Sequence, residues 1–166
     1  MKKLIVFISV IVLFFSCNKV HYYYIPEDEK PLLVNNDTIC FLDSANNRID
    51  TTCVNILHYY DASEELAYEI IEVHYNILNK HASIKYLDIS QSVIVSVISI
   101  NYHYFAINTP IIKNNLSIHG IIYPKVYVFQ EFGFPDSIPS TVYYTFQHGI
   151  IRYDYSKSRH YEIINN

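Results

Sequence analysis

The chain has 166 residues, with 12 basic and 16 acidic side chains, and its formal net charge is −4 at neutral pH. An acidic chain lacks the positive surface that nucleic-acid binding requires, so this class of function is excluded. Only three glycines occur, which argues against a glycine-rich phosphate loop, and the length suits one domain with a substantial core.

The chain begins with a short charged and apolar segment. Lys2 and Lys3 precede a run of twelve residues, 4–15, that is apolar except for Ser9 and is followed by the small residue Ser16. This order is typical of a bacterial export signal. The run is shorter than the roughly 20 residues that a transmembrane helix needs, so we predict a signal segment and not a permanent span.

The end of this segment carries a second pattern. Residues 14–17 place Cys17 directly after a small residue and resemble the lipobox of bacterial lipoproteins, with Phe14 and Phe15 where that family prefers Leu and a small residue. The resemblance implies that residues 1–16 are removed. It also implies that Cys17 becomes an acylated N-terminus held in a membrane of the cell envelope. The alternative is an ordinary secretory signal with an incidental cysteine.

The next segment predicts a flexible tether. Residues 17–36 include the acidic cluster 27–29, two prolines and no apolar periodicity, and the domain is expected over residues 37–166. A fully extended tether would span about 60 Å. The tyrosine run 22–24 fits two positions equally, at the lipid headgroups or packed on the domain.

A hairpin with a disulfide is predicted at the start of the domain. Two β-prone runs, 38–43 and 49–57, flank Asn46 and Asn47, and asparagine tolerates the backbone of a tight turn. A two-residue turn there places Cys40 opposite Cys53 at a non-hydrogen-bonded site. Cα atoms at such a site are about 4.5 Å apart, which suits a disulfide. Because export leads to an oxidising compartment, we predict a Cys40–Cys53 disulfide; the alternative is two separately packed thiols.

The remaining chain predicts further strands. Residues 61–78 fit both helical spacing and strand alternation, and we favour a strand from about Ala67. Pro124 predicts an edge position or a bulge, and residues 131–140 predict a loop. The later strands are expected at residues 83–89, 93–105, 121–130, 141–147, 150–155 and 160–164. About nine strands joined by short turns predict an all-β domain, either an antiparallel sandwich or a flattened barrel.

Signals for chemistry are weak. None of the eight histidines forms a metal-ligand spacing, and no nucleophile elbow occurs. Carboxylates such as Glu69 and Glu72 are expected on a solvated face. We therefore predict no metal, no cofactor and no enzymatic activity.

One short pattern recurs. Asp followed by Ser or Thr and then by a third small or apolar residue resembles the O-glycosylation signal of exported proteins in some Gram-negative lineages. The candidate acceptors are Thr38, Ser44, Thr51 and Ser137. The alternative is ordinary turn chemistry, in which the aspartate bonds to nearby backbone.

These patterns together favour an envelope protein. Residues 1–17, and more weakly residues 149–155, resemble in layout the small β-rich lipoproteins of Gram-negative envelopes. The resemblance implies a membrane-anchored, non-catalytic domain that binds or supports another envelope protein. A carrier of a lipid or other hydrophobic ligand is the alternative, and it would need an interior cavity of several hundred Å³. An envelope hydrolase is the least favoured class.

Overall fold

The computed structural model of the chain describes residues 20–63, 65–77, 80–88, 93–101, 103–105, 111–131 and 140–164. These residues form two β-sheets that pack on each other, and the predicted all-β sandwich is confirmed. The described part holds thirteen strands and one 3-10 turn, Glu27–Glu29, so the predicted number of about nine strands is too low. No helix in these ranges is long and apolar enough to cross a lipid bilayer.

The strands follow one another closely along the chain. They are β1 His21–Tyr23, β2 Thr38–Asp43, β3 Arg48–Cys53, β4 Asn55–Ala62, β5 Leu66–Ile77, β6 Lys80–Asp88, β7 Val93–Ile100, β8 His103–Phe105, β9 Ile111–Ile118, β10 Ile121–Gln130, β11 Thr141–Thr145, β12 Gly149–Ser156 and β13 Arg159–Ile164. Short turns join most of them, which accounts for the mainly antiparallel pairing.

The first sheet is arranged around β5. Strand β4 pairs along one side of β5, while β6 and the short β1 share the other side, and β7 and β8 continue outward from β6. Strand β1 runs parallel to β5, whereas every other pair among the described strands is antiparallel. The second sheet has the order β3-β2-β13-β12-β11-β10-β9.

The strand predicted from about Ala67 is confirmed as β5, Leu66–Ile77. In β5 the inward residues Val73, Tyr75 and Ile77 are buried, and they alternate with the more exposed His74 and Asn76. A period of two matches this burial and a helical period does not. The sequence of this segment fits both a helix and a strand, and packing against the second sheet therefore selects the strand.

Three strand predictions need correction. The run 49–57 is divided between β3 and β4, which belong to different sheets. The run 93–105 is a hairpin of β7 and β8, in which Ile100 pairs with His103 across a turn that includes Asn101 at φ 47°. Strand β9 has no counterpart among the predicted strands, because most of its residues are exposed and it lacks a clear apolar alternation. The predicted strands of the C-terminal meander are present as β11, β12 and β13.

Pro124 lies where the sheet has an open side. Strand β10 pairs with β11 only over Tyr127–Gln130, so Pro124 has no neighbour from β11, and the ladder to β9 forms no pair at that residue. This is the edge-like position that a residue without an N–H requires. Of the predicted loop 131–140, residues 132–139 lie outside the described part.

The register of the β2–β3 hairpin differs from the prediction. Asp43 pairs with Arg48, so the turn consists of residues 44–47. The Asp43 carboxylate accepts hydrogen bonds from the Ala45 amide at 2.9 Å and from Asn46 Nδ2 at 2.7 Å, and these bonds start the turn at residue 43. Asn47 takes a positive φ of 49°. Every cross-strand pair is therefore displaced by two residues from the predicted register.

This register separates the two cysteines. Cys40 pairs with Thr51, and Cys53 pairs with Thr38, so the two sulfurs are diagonal neighbours. Diagonal residues are about 7–8 Å apart, beyond the range of a disulfide. The Cys40 Sγ lies 3.5 Å from Thr51 Oγ1 and no disulfide joins it to Cys53. The predicted Cys40–Cys53 disulfide is therefore wrong.

The two thiols should differ in reactivity. Cys53 is exposed, whereas Cys40 retains 8% of its accessible surface. Iodoacetamide should modify Cys53 in the native protein without prior reduction, and it should modify Cys40 only after denaturation. Peptide mass spectrometry locates the labels. A Cys53 that accepts label only after reduction would contradict the structure.

The predicted flexible tether is wrong for residues 20–36. This segment, which we call the cap, contributes β1 to the first sheet and buries Ile25 in the core, where Leu33 also packs. Its apolar residues lack a regular period, so no local pattern indicates that they reach the core. Residues 1–19, including Cys17, lie outside the described part.

Candidate functional site

The cap makes backbone hydrogen bonds to residues beside both sheets. It begins beside β5, where His21 donates its amide to the Glu65 carbonyl at 2.8 Å. It then passes the turn after β11, where the Leu32 amide donates to the Gln147 carbonyl at 2.9 Å. It ends near the β3–β4 junction, where the Asn36 amide donates to the Val54 carbonyl at 2.8 Å. The cap therefore bridges both sheets and belongs to the domain.

A buried carboxylate fixes the first half of the cap. The Glu69 side chain is 1% exposed, and its Oε2 accepts the Ile25 amide at 2.8 Å. Its Oε1 lies 3.1 Å from Lys30 Nζ and 2.8 Å from His58 Nε2. Glu69 thus joins β4, β5 and two points of the cap.

Glu69 remains ionised in this setting. Burial by itself would raise the pKa of the carboxyl, but hydrogen bonds and charge from Lys30, the Ile25 amide and His58 outweigh it, so the pKa is lowered. The prediction of a solvated face is wrong for Glu69, whereas Glu72 lies on the outer face of β5 with 22% of its side chain exposed. Because successive side chains of a strand point to opposite faces, Glu69 and Glu72 lie on different faces of β5.

Three tyrosines form an exposed aromatic cluster beside Glu69. Tyr22, Tyr24 and Tyr60 are 55%, 56% and 48% exposed. The Tyr22 and Tyr24 rings stack at 6.1 Å, and Tyr60 meets both edge-on at 6.3 and 6.2 Å. Ala67 pairs with Tyr22 on one side and Ala62 on the other, and these small residues leave room for the rings. We call Tyr22, Tyr24 and Tyr60 the tyrosine cluster.

The cap carries an unusual share of exposed apolar surface. Fourteen large hydrophobic residues are exposed in the described part of the chain, and five of them fall within residues 20–34. These five are Val20, Tyr22, Tyr24, Leu32 and Val34. A concentration of exposed apolar side chains in one segment often marks a contact surface.

Two pockets flank the turn at residues 146–148, next to the cap. One has a volume of about 360 Å³ and includes Tyr123, Tyr127 and Phe146 in its wall. The other, of about 400 Å³, is lined partly by Leu32 and Leu33. His148 lines both pockets, and burial lowers its pKa, which favours the neutral imidazole.

A second polar cluster covers the outer face of the second sheet. Arg152 contacts Asp154 at 2.7 Å and Glu162 at 2.8 Å, and His119 lies 3.1 Å from Glu162. The two carboxylates raise the pKa of Arg152 although burial opposes this. Each oxygen has a cationic or imidazole neighbour, which makes this cluster a surface ion-pair network. Within the described ranges, no group of three or more His, Cys, Asp or Glu residues is placed to hold a metal ion.

The candidate glycosylation residues are mostly accessible. Thr38, Ser44 and Thr51 are exposed, and Ser137 lies outside the described residues. Ser44 Oγ accepts the His160 amide at 3.1 Å, and the preceding Asp43 holds the turn. The aspartate therefore has a structural role at this site, and glycosylation stays a prediction.

Comparisons with family models, with curated proteins and with solved structures give no match for this chain. The features that the sequence did not predict are the cap, the buried Glu69 and the tyrosine cluster. All three depend on contacts between distant segments.

Proposed function

We propose that this protein is a lipid-anchored envelope protein whose β-sandwich acts without catalysis, by binding or supporting another envelope protein. The observation that carries the proposal is the order of residues 1–17, in which a charged start and a short apolar run lead to Ser16 and Cys17. Acylation of Cys17 would anchor the domain to a membrane.

The position of the cap supports this proposal. Val20 follows Cys17 by three residues, which span at most about 10 Å when extended. Since the cap packs on the domain from Val20 onward, an acylated Cys17 would hold the sandwich directly at the bilayer and not at the end of a long tether. A rigid domain at a fixed distance suits a binding or scaffolding role.

The filled interior supports a binding domain over a carrier. A carrier would need a continuous cavity between the sheets. Side chains such as Ile84, Ile98 and Tyr144, all with 0% exposure, occupy that space. The two pockets are lined by residues of the second sheet, of its turn 146–148 and of the cap.

Replacement of the anchoring cysteine tests the proposal. We expect the Cys17→Ala variant, expressed in a Gram-negative host, to lose all incorporation of a fatty-acid label and to leave the membrane fraction. The thioether and the amine that carry the acyl chains depend on this residue. Metabolic labelling with an alkyne fatty acid and envelope fractionation measure both effects.

The Cys53→Ala variant is the matched control, because it removes an exposed thiol within the domain. It should keep the label and the membrane location. A parent chain without label, found in the soluble exported fraction, would support an ordinary secretory signal and contradict the proposal.

A further inference from the structure

We infer that the tyrosine cluster lies in the headgroup region of the bilayer that holds the protein's own lipid anchor, so that the cap is a membrane-contact surface. This inference rests on the proposed acylation of Cys17. It goes beyond that proposal because it fixes which face of the domain meets the lipid.

The chain length between anchor and cluster restricts the geometry. Tyr22 follows Cys17 by five residues, a span of at most about 17 Å. The chain from Val20 onward is held on β5 by β1 and by the His21 amide. The cluster therefore cannot move far from the acyl chains, and it is the first aromatic surface that the domain offers to the membrane.

The chemistry of the cluster suits this position. A tyrosine ring has an apolar body and a polar hydroxyl, and tyrosine is enriched at the level of lipid headgroups. The three rings contact one another, yet each leaves about half of its surface exposed. Val20, Leu32 and Val34 are further exposed apolar side chains of the same segment.

The charge of the cap indicates that this membrane contact does not depend on electrostatic attraction to anionic lipids. Residues 20–36 contain three acidic side chains and one lysine, a difference of −2. That lysine, Lys30, is already paired with Glu27 at 2.8 Å and with Glu69 at 3.1 Å. The cap therefore has no basic patch to attract anionic lipid, and the contact depends on the aromatic and apolar side chains and on the anchor.

The test uses the absence of tryptophan from the chain. Tyr60→Trp and, separately, Tyr22→Trp each introduce a single fluorescent probe at an exposed ring of the cluster. Tyr104→Trp is the matched control, since Tyr104 is 64% exposed on β8. The spacing between neighbouring strands and the rise per residue along a strand place Tyr104 roughly 25 Å from the tyrosine cluster. The acylated full-length proteins are reconstituted into zwitterionic phosphatidylcholine vesicles that contain lipids brominated at known depths.

We expect both cluster probes to be quenched most by bromines near the headgroups, with emission shifted to shorter wavelength, and the Tyr104 probe to show neither effect. An acylated protein whose cluster probes are not quenched, or are quenched no more than the Tyr104 probe, would overturn the inference. In that outcome the proposed anchor would stand, because mass spectrometry of Cys17 reports acylation separately. A chain without acyl groups would remove the proposed function and this inference together.

Discussion

Replacing Glu69 by alanine is expected to lower the free energy of unfolding by about 3 kcal/mol, the size of effect seen when one partner of a buried charge pair is removed. The change leaves the Lys30 ammonium and the Ile25 amide without their shared acceptor. A buried donor without a partner adds its own desolvation penalty. Urea denaturation followed by circular dichroism measures the loss.

Glu72→Ala provides the control on the same strand. Glu72 contacts Tyr59, His74 and Lys85 on the outer face of the first sheet, where solvent replaces a lost partner. Its removal is expected to lower the free energy of unfolding by about 1 kcal/mol or less. Equal losses for the two variants would mean that the buried carboxylate does not hold the cap.

The same carboxylate predicts a dependence of stability on pH. The pKa of Glu69 is lowered in the folded protein, so its contribution is present above the unfolded pKa of about 4.3 and is lost as the pH falls through the folded value. Glu69→Gln should therefore flatten the fall in stability below about pH 4, as urea denaturation at a series of pH values measures. Part of the fall should remain, because Asp43 and Glu72 also have lowered pKa values in the folded state.

Local patterns predicted the fold class because alternation and turn residues act within a few positions. Strand β5 and the C-terminal meander followed from such patterns. The β2–β3 register did not, because the Asp43 side chain moves the turn toward itself by bonding Ala45 and Asn46. The Asp-Ser pair at residues 43–44 fits a glycosylation signal, although the same pair is also typical of an aspartate that starts a turn.

Local sequence patterns could not predict the candidate site, because its contacts join residues that are far apart in the chain. Glu69 is 44 residues from Ile25, and the Tyr60 ring contacts the Tyr22 ring although the two residues lie on strands far apart in the sequence. Acidic and proline residues in the cap are typical of a linker, and a single inward Ile25 does not change that composition. Long-range pairing of Lys30 with Glu69 turns this segment into part of the domain.

Gly149→Val is the second change with a large expected effect, a loss of about 3 kcal/mol in the free energy of unfolding. Gly149 has φ 71°, and a side chain in that left-handed region costs about 1–2 kcal/mol by itself. A Cβ there would stand 3.3 Å from Ile84 Cδ1, 3.4 Å from the Tyr75 hydroxyl and 3.5 Å from Leu33 Cδ1. The extra methyl groups of valine add overpacking of the core, which accounts for the remainder.

Gly120→Val separates these two causes. Gly120 has φ 82°, but a Cβ added at this residue would meet no atom within 4 Å, so only the backbone penalty applies. Because Leu33 belongs to the cap, Gly149→Val should also increase amide hydrogen exchange around Leu33, whereas Gly120→Val should not. If the two variants lose equal stability and amide hydrogen exchange in the cap is unchanged, Gly149 is needed only for the backbone conformation of the turn. A selective rise would establish that the second half of the cap is held by packing at Gly149, as the first half is held by charge at Glu69.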